Sequence, residues 1–141
     1  MLKVLHAAGA DVPKPLKLSE HVLLMEYVGD VDGAAPKLQE AQLETHQVRP
    51  IYERIMGNIE LFLRHELIHG DLSAFNVLYW QGNVKVIDFP QAVDPRFNRN
   101  ALSLLQRDLA NICRYFNRHG LKVDSETLGR RLWRSYMRAE L

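Results

Sequence analysis

Residues 67–89 limit what this chain can fold into more than any other stretch. His69-Gly70-Asp71 forms a polar loop, and Asn76 opens the apolar run Val77-Leu78-Tyr79-Trp80. Gln81-Gly82-Asn83 is turn chemistry, and Val84-Lys85-Val86-Ile87 returns as a second strand. Asp88 stands where that strand stops. A ribbon of this length brings its two outer ends together. Asp71, Asn76 and Asp88 are therefore expected to meet at one edge.

An amide oxygen and a carboxylate at one edge suit a hard divalent cation such as magnesium, which keeps waters and phosphate oxygens in its shell. A further carboxylate can orient or deprotonate a hydroxyl nucleophile. Protein-kinase catalytic loops place Asp, four residues, then Asn, with a second Asp-Phe pair downstream. Asp71, Asn76 and Asp88-Phe89 follow that order. Here the loop is His-Gly-Asp rather than His-Arg-Asp, and the closing segment is Asp-Phe-Pro.

The segments His69-Gly70-Asp71-Leu72-Ser73-Ala74-Phe75-Asn76 and Val86-Ile87-Asp88-Phe89-Pro90-Gln91-Ala92-Val93 resemble the RIO family of atypical serine/threonine kinases. Gly9 to Pro15, Leu24-Met25-Glu26-Tyr27-Val28-Gly29, Gly33 to Leu38 and Arg107 to Ile112 extend the likeness over nearly the whole chain. The resemblance implies an α+β, protein-kinase-like C-lobe, mainly helical, with a catalytic-loop β-hairpin and a hinge strand. Residues 1–28 would be a remnant of the N-lobe plus the hinge, and 29–141 the C-lobe. Asp71 and Asp88 would be catalytic, with Asp88 able to accept the phosphoryl group itself. Asn76 and Asp88 would hold Mg2+, with Mn2+ as an alternative. ATP would meet Met25, Glu26, Val28, Ser73, Asn76 and Ile87, with the adenine edge at the Glu26 and Val28 backbone. Ser73 either touches phosphate or caps the loop. A protein substrate or ribosome-associated partner follows by the same analogy.

Departures from the kinase pattern are equally specific. The chain has no glycine-rich phosphate cover, strand lysine or helix glutamate, so most of the N-lobe is expected to be absent and activity impaired. Two other readings compete. Aminoglycoside and choline kinases share His-Gly-Asp, a following Asn and Ile-Asp, although Leu72-Ser73-Ala74-Phe75 and Phe89-Pro90-Gln91 favour RIO. The other is a scaffold lobe without turnover.

The 141 residues make about one domain. A net charge of +1 supplies no bulk field toward nucleic acid or membrane. The lone Cys113 excludes an internal disulfide and fits a reducing cytoplasm. No apolar run approaches the roughly 20 residues of a membrane span.

Along the chain, Leu2, Leu5 and Ala8 have helical spacing, with Gly9 as a stop. Val22–Val28 reads as a strand covered on both faces, either hinge or plain core. Residues 29–43 read as an irregular connector. A helix follows from Thr45, its expected cap, to His65, with Ile51, Ile55, Ile59, Phe62 and Leu63 as its apolar stripe. His65 and His69 lack a third metal ligand. A helix over 100–118 turns Leu105, Leu109, Ile112 and Phe116 inward. Asp108 beside that stripe either braces the His69-Gly70-Asp71 turn through backbone N–H groups or pairs with Arg107 or Arg114 in solvent. Cys113 reads as core. A last helix, about 125–140, is capped by Asp124 and carries Leu128, Leu132 and Tyr136 inward. Its Arg130, Arg131, Arg134 and Arg138 form a basic surface, either solvated or turned to an acidic partner.

Overall fold

In the computed structural model, which describes residues 1–20 and 22–141, Gln81 and Gly82 have φ of +49° and +79°. Two positive φ values in a two-residue loop match the twist of a tight hairpin. They join β5 (Val77–Trp80) to β6 (Asn83–Val86), with Val77 opposite Val86 and Trp80 opposite Asn83. Both edges of this ribbon are occupied. The Leu38 N–H donates to Val77 O at 2.7 Å and Tyr79 N–H to Pro36 O at 2.9 Å. On the other side Val86 N–H donates to Asp11 O at 2.7 Å.

Alternation along the strands turns Val77, Val84 and Val86 inward, and all three are fully buried. They meet α2 (Thr45–Arg64), which follows the short α1 (Leu2–Ala7) in chain order. Ile51, Ile55, Ile59, Phe62 and Leu63 all lie in the core as their spacing predicts. Thr45 is not the cap. Glu44 is, because Gln47 three residues on accepts from the Glu44 N–H at 2.9 Å and closes the first turn. Leu105, Leu109, Ile112 and Phe116 of α3 (Ala101–Arg118) complete the core, with Tyr52 edge-on to Phe116 at 5.5 Å. Burial pushes the Cys113 thiol up to about 11, so it is an inert core residue. Asp124 caps α4 (Ser125–Met137) by accepting from Glu126 N–H at 3.1 Å. Leu132 is buried, Leu128 and Tyr136 pack at the core's edge, and the four arginines are exposed. Leu5 is buried in α1, whereas Ala8 is exposed.

The strand predicted over Val22–Val28 is shorter and far more open. β2 (Leu23–Met25) pairs only with β1 (Pro15–Leu18). Leu24 is 53% and Tyr27 64% exposed. An apolar run signals two-sided cover only where further layers exist, and here the short α1 touches β1 while most side chains of the ribbon stay exposed. The 29–43 connector is likewise more ordered than expected. β3 (Gly29–Asp30) and β4 (Gly33–Ala34) form a small ribbon, closed by Asp30 Oδ1 accepting from the Asp32 N–H at 2.9 Å. Among the described residues no helix is long and apolar enough to cross a membrane.

Residues 10–12 join the two halves of this arrangement. Asp11 accepts both Arg54 Nε and Nη2 at 2.7 Å and Asn58 Nδ2 at 2.8 Å, while its N–H donates to Asn58 Oδ1 at 2.7 Å. Burial alone would raise the Asp11 carboxyl, but the Arg54 and Asn58 bonds outweigh it and hold it below its usual range. A depressed native pKa stabilises the fold above the unfolded value and is lost as pH falls through the native one. Asp11→Ala is expected to cost about 1–3 kcal/mol in urea unfolding at neutral pH. The loss relative to wild type should shrink as pH is lowered from about 5 toward 2.

Candidate active site

Phe89 is buried, edge-on to Phe62 of α2 at 5.6 Å and 4.6 Å from the His69 ring. Ile87 N–H donates to Asn76 O at 2.9 Å, the last rung of the ribbon. Between these two anchors Asp88 adopts φ +68°, a left-handed conformation that Asp tolerates better than most residues. The strand therefore stops at Asp88, whose side chain is left exposed.

Asn76 faces Ile87, the residue before Asp88, and Asp71 touches Asn76. Asn76 Nδ2 donates to Asp71 O at 2.7 Å and lies 3.4 Å from Asp71 Oδ2. The amide nitrogen is thus spent on the loop and its oxygen remains open. The structure brings Asp71 and Asn76 into contact and sets Asn76 opposite Ile87, one residue from Asp88. Among the described residues no group of three or more His, Cys, Asp or Glu gathers around a common point. One carboxylate plus one amide oxygen, both open to solvent, suits a cation that takes most of its ligands from water and phosphate.

A cavity of about 320 Å³ opens next to Asp88, its wall including Leu2 of α1 as well as Leu23, Met25, Val86, Ile87 and Phe89. Its size and apolar walls suit a small aromatic ligand, with a carboxylate at the rim. Met25, Ile87 and Asp88 line it. Glu26, Val28, Ser73, Asn76 and Asp71 stand outside its wall. At the hinge, Glu26 N–H donates to Lys14 O at 2.9 Å and Val28 O accepts from Ala35 N–H at 2.8 Å. The Glu26 carbonyl and the Val28 N–H make no hydrogen bond among the described residues. The Ser73 hydroxyl accepts from Phe75 N–H at 3.2 Å, the capping geometry.

The loop is held from α3. Asp108 accepts from Gly70 N–H at 2.8 Å and from Leu72 N–H at 2.9 Å. Asp108 is thus the brace, not a solvent ion pair. Desolvation pushes its carboxyl up from the usual range, and the Leu72 and Gly70 donors pull it back in part. Sequence reasoning missed two further members. Arg107 Nη2 donates to Gly70 O, and Asn111 Nδ2 donates to Leu72 O at 3.1 Å. No local pattern marks either side chain, since they act on residues 37 and 39 positions away. His69 Nε2 lies 2.9 Å from Ile87 O, and its Nδ1 accepts from Asp71 N–H at 3.2 Å. Both ring nitrogens are engaged, which removes any pairing with the exposed His65 around a metal.

The model of the RIO domain family matches residues 1–128. The chain is 39% identical over 121 residues to the RIO-type serine/threonine-protein kinase Rio1 of Haloferax volcanii, covering 86% of this chain and 41% of that protein. It is 36% identical over 120 residues to the human serine/threonine-protein kinase RIO1, covering 84% of this chain and 21% of that one. Among solved structures it resembles the Rio2 kinase-ADP/Mg2+-phosphoaspartate complex from Chaetomium thermophilum. That match has a TM-score of 0.72 and 27% identity, over 87% of this chain and 38% of the other. The chain thus spans less than half the length of each of these relatives.

Gly70 has φ +80°, and a Cβ there would overlap the Gln91 carbonyl oxygen. Gly70→Ala is expected to cost about 1–3 kcal/mol. Asp108→Ala should cost about 2–4 kcal/mol, since it strands two buried N–H donors. Equilibrium denaturation of both variants checks this, and wild-type midpoints would show that the loop is not held this way.

Proposed function

The chain belongs to the RIO family, and on that premise we propose that it is the hinge and catalytic lobe of a RIO-type serine/threonine kinase or ATPase acting on Mg-ATP. In this reading residues 1–28 are the hinge and a part of the small lobe, and residues 29–141 are the large lobe. The observation that carries it is the Asn76 amide, its nitrogen spent on Asp71 and its oxygen open one residue across the ribbon from Asp88.

Adenine sits in the apolar cavity against Met25 and Ile87, with the Glu26 carbonyl and Val28 N–H toward its polar edge. Asn76 and Asp88 hold Mg2+, with Mn2+ as a substitute. The cation neutralises charge on the phosphates when bound. Asp71 orients the acceptor hydroxyl. The Chaetomium thermophilum Rio2 structure is named as a phosphoaspartate complex. By that likeness an Asp88 oxygen attacks the γ-phosphorus, ADP leaves with the bonding electron pair, and water later cleaves the acyl phosphate. Ser73 serves the loop's turn and reaches phosphate only when nucleotide is bound. A protein substrate, a ribosome-associated partner and a cytoplasmic setting are the surroundings that fit the family.

Calorimetric titration with ADP, with and without Mg2+, tests this reading, together with single-turnover labelling from γ-labelled ATP. Wild type is expected to bind ADP more tightly with Mg2+ and to form a hydroxylamine-sensitive phosphoenzyme. Asp88→Ala should lose both the magnesium effect and the label. Asp71→Asn should keep binding, while transfer to a hydroxyl acceptor slows by about 10²–10⁴-fold. Absence of any magnesium-dependent nucleotide binding by wild type would defeat the assignment.

A further inference from the structure

Lys85 is the third of the four residues of β6, between Val84 and Val86. Those two valines face the core, so Lys85 projects from the opposite face of the ribbon. There its ammonium lies 3.4 Å from Glu26 Oε1 and 3.5 Å from Val12 O. Both side chains are about two-thirds buried, at 31% and 34% exposure. The pair ties the end of the hinge strand to the catalytic ribbon. Met25, next to Glu26, and Val86, next to Lys85, both line the apolar cavity, as does Ile87. The β1–β2 ribbon that carries Met25 touches α1 through β1, and Glu26 N–H to Lys14 O extends its ladder to the same 11–14 segment that Lys85 reaches.

We infer that Lys85 is a positioning residue for the nucleotide: through Glu26 it fixes the hinge wall against the catalytic ribbon and so sets the width of the adenine slot. The inference rests on the Mg-ATP reading of the cavity. Lys85 touches no reacting atom. Its effect falls on the base end of the ligand and leaves the phosphate end, at Asn76 and Asp88, untouched. Asp11 also feels the Lys85 charge, so a charge reversal at 85 would disturb a second contact, and Lys85→Arg is the suitable control.

The test uses the 141-residue chain as wild type, Lys85→Met and Lys85→Arg. Each is titrated with Mg-ADP and with Mg-pyrophosphate, and amide exchange is followed over residues 22–28. Lys85→Met is expected to weaken Mg-ADP about three- to fivefold, the scale of a partly exposed ion pair. Mg-pyrophosphate affinity should be unchanged, and exchange at the hinge faster. Lys85→Arg should restore both values to near wild type. Equal Mg-ADP affinity in all three chains overturns the inference. So does a parallel loss of Mg-pyrophosphate, which would mean a general structural role. Failure of wild type to bind either ligand defeats the kinase reading instead. The exchange arm then decides the strut alone: faster hinge exchange in Lys85→Met, recovered in Lys85→Arg, upholds it, and identical rates overturn it.

Discussion

The Asp108 carboxyl is the constraint on which the open end of the ribbon depends. The Gly70 and Leu72 N–H groups point into the protein where no strand or helix partner exists for them, and a buried donor left unpaired is costly. Asp108 takes both. Arg107 and Asn111, from the same helix, take the carbonyls of the same two residues. One helix face thus satisfies the N–H and the carbonyl of both residues flanking Asp71. The price is a carboxyl held out of water, visible in the upward push that burial exerts on it. The gain is an Asp71 whose backbone cannot drift, at a position where positive φ at Gly70 already excludes most alternatives.

The second half of the edge is held differently. Asp88 occupies a conformation that few residues adopt unaided, and it persists because both neighbours are pinned. Ile87 makes the last ribbon hydrogen bond, and Phe89 is wedged between Phe62 and His69. His69 then returns its Nε2 to Ile87 O and its Nδ1 to the Asp71 N–H. The imidazole couples the two acids without facing solvent. Such over-determination persists only where the surroundings hold a strained residue in place.

Local pattern carried most of this. The ribbon, its turn and the meeting of its outer ends follow from alternation and Gln81-Gly82, since register in a hairpin is set by the turn itself. The α2 stripe and the Asp124 cap are equally local. What escaped was tertiary. Val22–Val28 has the composition of a buried strand, but composition cannot say whether another layer lies over it. Glu44 displaced Thr45 as cap because a partner three residues on outweighed the intrinsic preference for a hydroxyl. Asn111 and Lys85 act on residues far away in sequence, 39 and 59 positions off, and nothing local marks an amide or a lysine for such work.

These differences divide the cavity into two kinds of wall. The catalytic wall is braced by core packing, ribbon hydrogen bonds and buried polar groups from α3, all of which would have to break together. The hinge wall rests on a two-stranded ribbon whose side chains lie largely in solvent, and a ribbon of that size is marginal by itself. Motion between the walls must therefore come from the hinge side, because a core at crystal-like density does not yield gradually. The phosphate end of a ligand would meet a preset geometry while the base end met an adjustable one. Any element that later covers β1 and β2 would act on affinity for the base first, and on the positions of Asp71, Asn76 and Asp88 hardly at all.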